Sequence, residues 1–433
     1  MTTELTVLIN GRLAGRAFAD RRGHPGFVYD EAWRNSRDAI PLSLSLPLAN
    51  KQPDSDAVAA VLWGFLPDNE HILQRWASQF HVSPRNPLAL LGRVGEDCAG
   101  AAQFVRTERV DDVLDGGPGE VEWLDEASVA ERLRQVRRDA GATRRQDDIG
   151  QFSLPGVQPK IALHRNDGRW GIPQGRTPTT HILKPPTGAY AGYVENEHFC
   201  LTLARSLQLS ACESAILHFE DEITICVRRY DREYQAERWW RVHQEDFCQA
   251  LGVMPQRKYQ KQGGPSPAQI GEVLHQYSAQ PRVDRENFLL VLVFNWLIGG
   301  SDAHAKNYSL LLGAGGAARL APFYDISSAL PYPEIDRRKL KMAMKIGSHY
   351  RWHDINVRDW LALGSELGFS NDDVREVLAL VGASIADFAA MVAAGMRQEG
   401  IGHPIVDTLV DSISESARRC MKMLSASSGA RSE

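Results

Sequence analysis

The chain has 433 residues, more than one core of the usual roughly 100–200 residues holds, so two or three packed units are expected. Hydrophobic residues at 43% and charged residues at 24% match soluble globular averages and exclude a disordered or collagenous chain. A net charge of −5 supplies no global positive field, which excludes tight non-specific nucleic-acid binding by the chain alone and leaves open only a local basic patch.

The N-terminus, Met1-Thr2-Thr3-Glu4-Leu5-Thr6, shows neither a basic n-region nor a long apolar h-region, so a cytoplasmic protein is expected. Residues 5–30 alternate apolar and polar groups around Asn10-Gly11, a hairpin signal, and Leu42-Ser43-Leu44-Ser45-Leu46 alternates as a half-buried strand does. Ala57 to Phe80 carries apolar residues at helical spacing, followed by Pro84 to Gly95 and a short strand near Ala101–Val105. These segments predict a small α+β unit over 1–110. The Asp- and Gly-rich stretch Asp111 to Gly119 and a polar helix from about Glu126 to Asp139 place a boundary near 110–150.

From Gly150 short β-type segments follow at Lys160–Leu163, His181–Lys184, Ala215–Phe219 and Ile223–Val227, with a helix over Asn196–Leu207. This predicts a β-rich part over 111–248. A helical period governs the rest, with helices predicted at 267–278, 284–299, 356–366, 371–392 and 403–424. The helical part is bounded at 249–425, and the small polar tail 426–433 is expected to fray. The apolar run Phe288–Gly300 is shorter than the roughly 20 residues of a spanning helix and contains Asn295, so it reads as a buried helix, with no membrane contact expected. The six cysteines (Cys98, Cys200, Cys212, Cys226, Cys248, Cys420) form no CxxC pair and read as reduced core thiols.

The sharpest motif is Ser301-Asp302-Ala303-His304-Ala305-Lys306-Asn307, which follows the buried helix and precedes Phe323-Tyr324-Asp325. Protein kinases space a catalytic Asp and a magnesium-binding Asn as D-x-x-x-x-N and supply a second metal-binding Asp downstream. Asp302 is then the catalytic base, and Asn307 and Asp325 are the magnesium ligands, the hard oxygen donors that this ion takes beside phosphate oxygens. The competing reading makes all three turn and cap residues. His304 and Lys306 either contact ATP phosphate or support the loop. Phe152-Ser153-Leu154-Pro155-Gly156-Val157-Gln158-Pro159-Lys160 is a candidate phosphate-covering loop that would use backbone N–H groups. Lys184 ends a strand where kinases place their ATP lysine, and Glu197, read as opening the next helix, is its candidate partner. A solvated strand end and a helix-terminal carboxylate are the plain alternatives.

Several segments together resemble the HipA family of bacterial toxin–antitoxin kinases. They are Pro41–Leu48, Leu66-Pro67-Asp68, Pro178–Lys184, Gln244-Glu245-Asp246, Trp296–Gly299, Ser301–Asn307 and Pro322–Ile326, and they run in the family's order. The resemblance implies an α+β, two-lobed protein-kinase-like fold with a β-rich N-terminal lobe and an all-helical C-terminal lobe. It implies a serine/threonine-protein kinase using ATP and Mg2+, with Asp302, Asn307, Asp325 and Lys184 in the roles just given. Val227-Arg228-Arg229-Tyr230-Asp231 matches the hinge strand, where backbone groups of Arg228 and Tyr230 would meet adenine and Asp231 would lie near the ribose.

Ser153 matches the family's autophosphorylated serine, and Leu154, Pro155, Gly156 and Val157 complete its phosphate-binding loop. A phosphate there, at about −1.5 to −2 charges, would repel ATP and favour ejection of the loop. Pro155 and Pro159 make this version stiffer than glycine-rich ones. The family also implies a HipB-like DNA-binding antitoxin, operator DNA contacted mainly through it, and a protein target such as glutamyl-tRNA synthetase. Other readings are a small-molecule phosphotransferase, a protein that locks a DNA-bound repressor, and a metal hydrolase using Asp302, His304 and Asp325.

Overall fold

A computed structural model describes residues 4–115, 119–142, 152–188 and 190–429. Residues 1–3, residues 143–151 of the expected boundary and the end of the tail lie outside the described residues. The contacts divide the chain into two compact units: Met1–Thr187 with Leu217–Arg257 and Ser309–Ala318, and Gly188–Ile216 with Lys258–Tyr308 and Arg319–Glu433.

In the first unit, an antiparallel sheet runs in the order Pro25–Tyr29, Arg12–Ala19, Glu4–Ile9, Ala102–Arg106. Its first turn is the predicted one. Asn10 and Gly11 take φ of 50° and 73°, the paired positive angles that a tight hairpin requires. Leu5, Val7 and Ile9 alternate into a core shared with Val58, Leu62, Trp76 and Leu91 from the helices Ser55–Gly64, Glu70–Phe80 and Pro87–Val94. The helical stretch predicted over 57–80 is two helices, because Pro67 interrupts it and the Asn69 side chain accepts from the His71 N–H to start a new one.

The predicted strand at 42–46 is absent. Ser43 and Leu46 bridge to each other in a turn, and Leu42, Leu44 and Leu46 are all buried. Alternation there records three leucine anchors, and the polar residue between them is bound too. Ser43 Oγ donates to Glu245 at 2.5 Å and the Leu44 N–H donates to the same carboxyl at 2.9 Å.

A six-stranded sheet follows in the order Val121–Leu124, Arg169–Pro173, Ile161–Asn166, His181–Lys184, Glu222–Arg228, Ser214–Phe219, the chain entering this unit at Leu217 of the last strand. Val129, Leu133 and Val136 of the helix Glu126–Arg138 pack on Leu163, Ile172 and Leu183 beneath it. The expected boundary at 110–150 is not where the contacts part. Residues on both of its sides belong to this unit, tied by the Ser43–Glu245 bond and by Asp97 to Arg232 at 2.9 Å.

The second unit holds the helices Tyr193–Ser206, Pro267–Tyr277, Pro281–Ile298, Val357–Glu366, Asn371–Gln398 and Ile405–Gly429. All five helices predicted downstream of residue 249 form, and side-chain caps such as Ser266, Asn356 and Ser370 start three of them. The lobe is not all helical, since Lys341–Ile346 and His349–Arg351 pair as a hairpin. Asn371–Gln398 is long and apolar enough to cross a membrane by length and composition. Here it packs against Ile405–Gly429, Tyr193–Ser206, Pro281–Ile298 and Val357–Glu366.

Burial pushes the Glu245 carboxyl up to about 8, against the bonds from Ser43 and Leu44, which favour its ionised form. Its folded pKa exceeds the unfolded 4.5, so its contribution is full below that value and is lost as pH rises toward about 8. Across about pH 5 to about pH 8 this group should remove stability at up to ~1.4 kcal/mol per pH unit. Glu245→Gln should flatten that slope in urea unfolding repeated across pH; an unchanged slope would place the titration elsewhere.

Candidate active site

The helix Pro281–Ile298 delivers the site. Gly299 ends it at φ 67°, the left-handed cap that glycine adopts without a Cβ penalty, and the Gly300 N–H returns to the Asn295 carbonyl at 2.7 Å. A Cβ on Gly300 would stand 2.6 Å from Asn295 Oδ1, so a larger residue here would have to displace the Asn295 amide. The loop Ser301–Asn307 then closes on itself. The His304 N–H donates to the Asp302 carbonyl at 2.8 Å, the Asn307 N–H to the His304 carbonyl at 2.9 Å, and Asn307 Nδ2 to the Asp302 carbonyl at 3.0 Å. The last bond commits the amide nitrogen inward and leaves Oδ1 as the acceptor end. Next in the chain, Tyr308 is buried. It accepts from Asn295 Nδ2 at 3.0 Å and meets Phe288 and Phe323 edge-on.

Asp302 is exposed, while His304, Lys306 and Asn307 are buried. Tyr259 donates its hydroxyl to Asp302 Oδ1 at 2.5 Å and sets its ring edge-on to His304. Tyr324 donates to the Lys306 carbonyl at 2.7 Å.

Asp325 arrives on a segment fixed at both ends. Before it, Phe323 exchanges backbone bonds with Ser210 and Cys212 at 2.7 and 2.8 Å. After it, Asn196 clamps Ser328, accepting from its N–H at 2.9 Å and donating to its carbonyl at 2.8 Å, and the Ser328 hydroxyl donates to the Ile298 carbonyl. Between these anchors Asp325 takes φ 58°, a left-handed conformation that disfavours a residue with a Cβ. Asp302, Asn307 and Asp325 line one pocket, walled by Val291, Asn295, Tyr308, Phe323 and Tyr324.

The other expected ATP residues, Ser153 to Val157, Lys184, Arg228, Tyr230 and Asp231, belong to the first unit. Lys184 stands opposite Ile225 in the central strand pair and is buried. Ser153 is fully buried, its hydroxyl donating to the Phe65 carbonyl at 2.7 Å and its N–H to the Asp97 carbonyl at 3.0 Å. The Gly156 and Val157 carbonyls accept from the Asp68 N–H and Asn69 Nδ2, and Lys160 Nζ donates to the Pro155 carbonyl. Arg228 is exposed at the strand end, and Tyr230 bonds Gln244 through its hydroxyl.

Two expectations change. The Asp231 carboxylate is buried, accepting from Arg229 at 2.8 Å and the Gly100 N–H at 2.6 Å with Arg232 at 3.0 Å, so it anchors the hinge strand with its oxygens already engaged. Glu197 does not open its helix, which begins at Tyr193; it lies a turn inside and is buried, so a helix-end position does not account for it. Tyr259, Asn196 and Ser328 were not legible as site residues, because no motif marks them and their partners are remote in sequence.

An exposed acid, an oriented amide and a second acid on a strained turn lie together on an α+β, kinase-like fold of two units. The comparisons establish the family. The family model of the HipA N-terminal domain matches residues 5–105 and that of the HipA-like C-terminal domain matches residues 152–388. "Putative kinase Y4mE" of Sinorhizobium fredii is 34% identical over 96% of this chain and 97% of its own length. The serine/threonine-protein kinase toxin HipA of Shewanella oneidensis is 28% identical over 78% of this chain and 77% of its own. The Shewanella HipA, HipB and operator DNA complex contains a chain of the same fold, with a TM-score of 0.82 at 24% identity and 98% of both chains covered. This chain belongs to the HipA family.

Asp325 offers a test that separates a structural aspartate from a functional one. Asp325→Gly relieves the positive φ, so urea unfolding should give a stability within about 1 kcal/mol of the wild type or above it. A loss of several kcal/mol would make Asp325 a structural residue.

Proposed function

We propose that this chain is an ATP- and Mg2+-dependent serine/threonine-protein kinase of the HipA toxin type. The observation that carries the reading is the gathering of Asp302, Asn307 and Asp325 on one pocket by a loop whose own bonds orient the Asn307 amide. Magnesium suits these donors. Among the described residues no group of three or more His, Cys, Asp or Glu side chains could hold a metal ion alone, whereas Mg2+ takes one amide oxygen and one carboxylate and fills the rest with water and phosphate. Asn307 Oδ1 and the Asp325 carboxylate would hold it, and when bound it offsets phosphate charge.

Asp302 accepts the proton of the acceptor hydroxyl and orients that hydroxyl for in-line attack. Tyr259 fixes the carboxylate by donating to one of its oxygens. Lys184 binds the α- and β-phosphates, and backbone groups of Arg228 and Tyr230 meet the adenine. His304 and Lys306, buried in the loop, support the phosphate end.

Ser153 is the autophosphorylation site in this reading. Its hydroxyl is sealed against Phe65, so modification requires the 152–158 loop to undock, and a phosphate of about −1.5 to −2 charges could not return to that fully buried position. The kinase would thereby switch itself off. A HipB-like DNA-binding antitoxin would neutralise it and supply most of the operator contact, in keeping with the net charge of −5. The target would be a protein such as glutamyl-tRNA synthetase, phosphorylated in the cytoplasm to stall translation.

Incubation with labelled ATP and magnesium should label the wild type, and Asp302→Ala should lower incorporation by at least ~100-fold. Ser153→Ala should abolish label on the chain itself while sparing label on an added protein substrate. No label on the chain or on lysate proteins would sink the kinase reading in favour of a repressor-locking role. Tyr259→Phe should reduce kcat roughly 10-fold with the KM for ATP unchanged, since it removes orientation of Asp302 and no nucleotide contact. An unchanged kcat would remove Tyr259 from the site.

A further inference from the structure

The first unit carries a second cluster of polar groups that the phosphoryl-transfer reading does not use. Arg232–Gln235 and Arg238–Arg241 form a hairpin whose tip residues Ala236 and Glu237 both take positive φ. At its base, Arg241 is only 5% exposed. It joins Arg229 and Arg232 around the buried carboxylates of Asp97 and Asp231, the pairs lying between 2.8 and 3.6 Å. Three guanidinium groups thus face two carboxylates, an excess of one buried positive charge. Neutral donors already occupy part of the carboxylates' capacity, from Thr179 on Asp97 and from the Gly100 N–H on Asp231. Burial first, and then the neighbouring Arg229, hold the Arg232 guanidinium down at about 10, whereas the two carboxylates raise Arg229.

The Arg241 guanidinium is also incompletely bonded. Nε donates to Asp97 at 3.2 Å and Nη1 to the Arg176 carbonyl at 2.9 Å, whereas the buried Nη2 has no hydrogen-bond partner among the described residues. That nitrogen is sealed from solvent, so Arg241 gives the cavity its positive field and not a direct contact. Arg241 lines a cavity of about 440 Å³, within the range of small-ligand pockets. The lining includes Arg176, Arg238, Trp239, Trp240 and Glu237. The Arg238 guanidinium lies over the Trp240 ring at 3.6 Å, and Trp239 is braced edge-on against His164 at 5.7 Å. Two indoles therefore wall a cavity that three arginines charge.

We propose that this cavity binds a phosphomonoester, its phosphoryl oxygens on the exposed Arg176 and Arg238 in the positive field of the buried Arg241, and its organic part against Trp239 and Trp240. The charge matches: one excess positive charge in the cluster, plus Arg176 and Arg238, less Glu237, is two, and a phosphomonoester carries about −1.5 to −2 at neutral pH. Planar guanidinium forks from two segments, the loop at Arg176 and the hairpin strand at Arg238, suit the three terminal oxygens of a phosphoryl group. Glu237 at the hairpin tip supplies an acceptor for a sugar hydroxyl. None of the residues assigned to this ligand carries the kinase reading, so the two proposals stand or fall separately.

The test is isothermal titration of the full chain, without magnesium, with inorganic phosphate, ribose 5-phosphate and uridine 5′-monophosphate. At least one ester should bind saturably and more tightly than inorganic phosphate. Arg176→Gln/Arg238→Gln, at two exposed positions that leave the fold intact, should weaken binding by at least ~10-fold. Arg241→Met should do the same if it folds, and Lys184→Ala should leave the affinity unchanged. Tighter binding of the nucleotide than of the sugar phosphate assigns the indoles to a base; equal binding assigns the site to the phosphorylated sugar. Absence of saturable ester binding, binding indifferent to the double substitution, or binding lost in Lys184→Ala would each overturn the site.

Discussion

The first unit is organised around one buried carboxylate. Asp97 lies between Arg232, Arg241 and Arg229 and accepts two further bonds from Thr179, one from the N–H and one from the hydroxyl. Burial raises its pKa, but the three guanidinium groups outweigh that and hold the carboxyl well below the usual range. The arrangement ties the end of the N-terminal α+β segment to the strand that leads to Lys184, to the hinge strand and to the hairpin after it. Buried charges of this kind add little net stability over apolar packing, yet removing any one leaves the others uncompensated. That asymmetry makes the cluster a specifier of geometry. It fixes where the hinge strand and the Ser153 loop sit, since the Asp97 carbonyl also accepts from the Ser153 N–H.

The second unit works by a different means, backbone anchoring. Gly299 and Gly300 turn the chain out of a buried helix, the loop that follows bonds to itself, and the Asp325 segment is pinned by Phe323 before it and by Ser328 after it. Such over-determination is what lets Asp325 persist at φ 58°. The positive φ and the clustering of oxygen donors coincide at this one residue. Tyr259 adds the same logic at side-chain level by holding Asp302, which is otherwise exposed to water.

The loop that carries Ser153 is held by many weak contacts at once. Leu154 is buried beside Ala99 and Ala162, Ser153 is bonded to Phe65, and the Gly156 and Val157 carbonyls are tied to residues at the start of the helix Glu70–Phe80. Few of these bonds are strong alone, and none is covalent. A single charged group at Ser153 would set a desolvation cost against all of them together.

Local residue order determined much of this protein. Asn10-Gly11 made the first hairpin readable, capping residues and the 3.6 period made the downstream helices readable, and Ser301–Asn307 kept its candidate site residues within seven adjacent positions, where a motif can be seen. Patterns failed where burial came from elsewhere. The leucines at 42, 44 and 46 alternate like a strand but fill a turn held by Glu245, and the stretch at 110–150 looks like a linker but connects parts of one unit. Tertiary structure alone decided that Asp231 is an ion-pair anchor, that Tyr259 reaches Asp302 across 43 residues, and that Arg232 and Arg241 meet Asp97 across 135 and 144. The reason is physical: periodicity and caps are short-range properties of the backbone, whereas the partner of a buried charge is set by which distant segments the folded chain brings within hydrogen-bond reach.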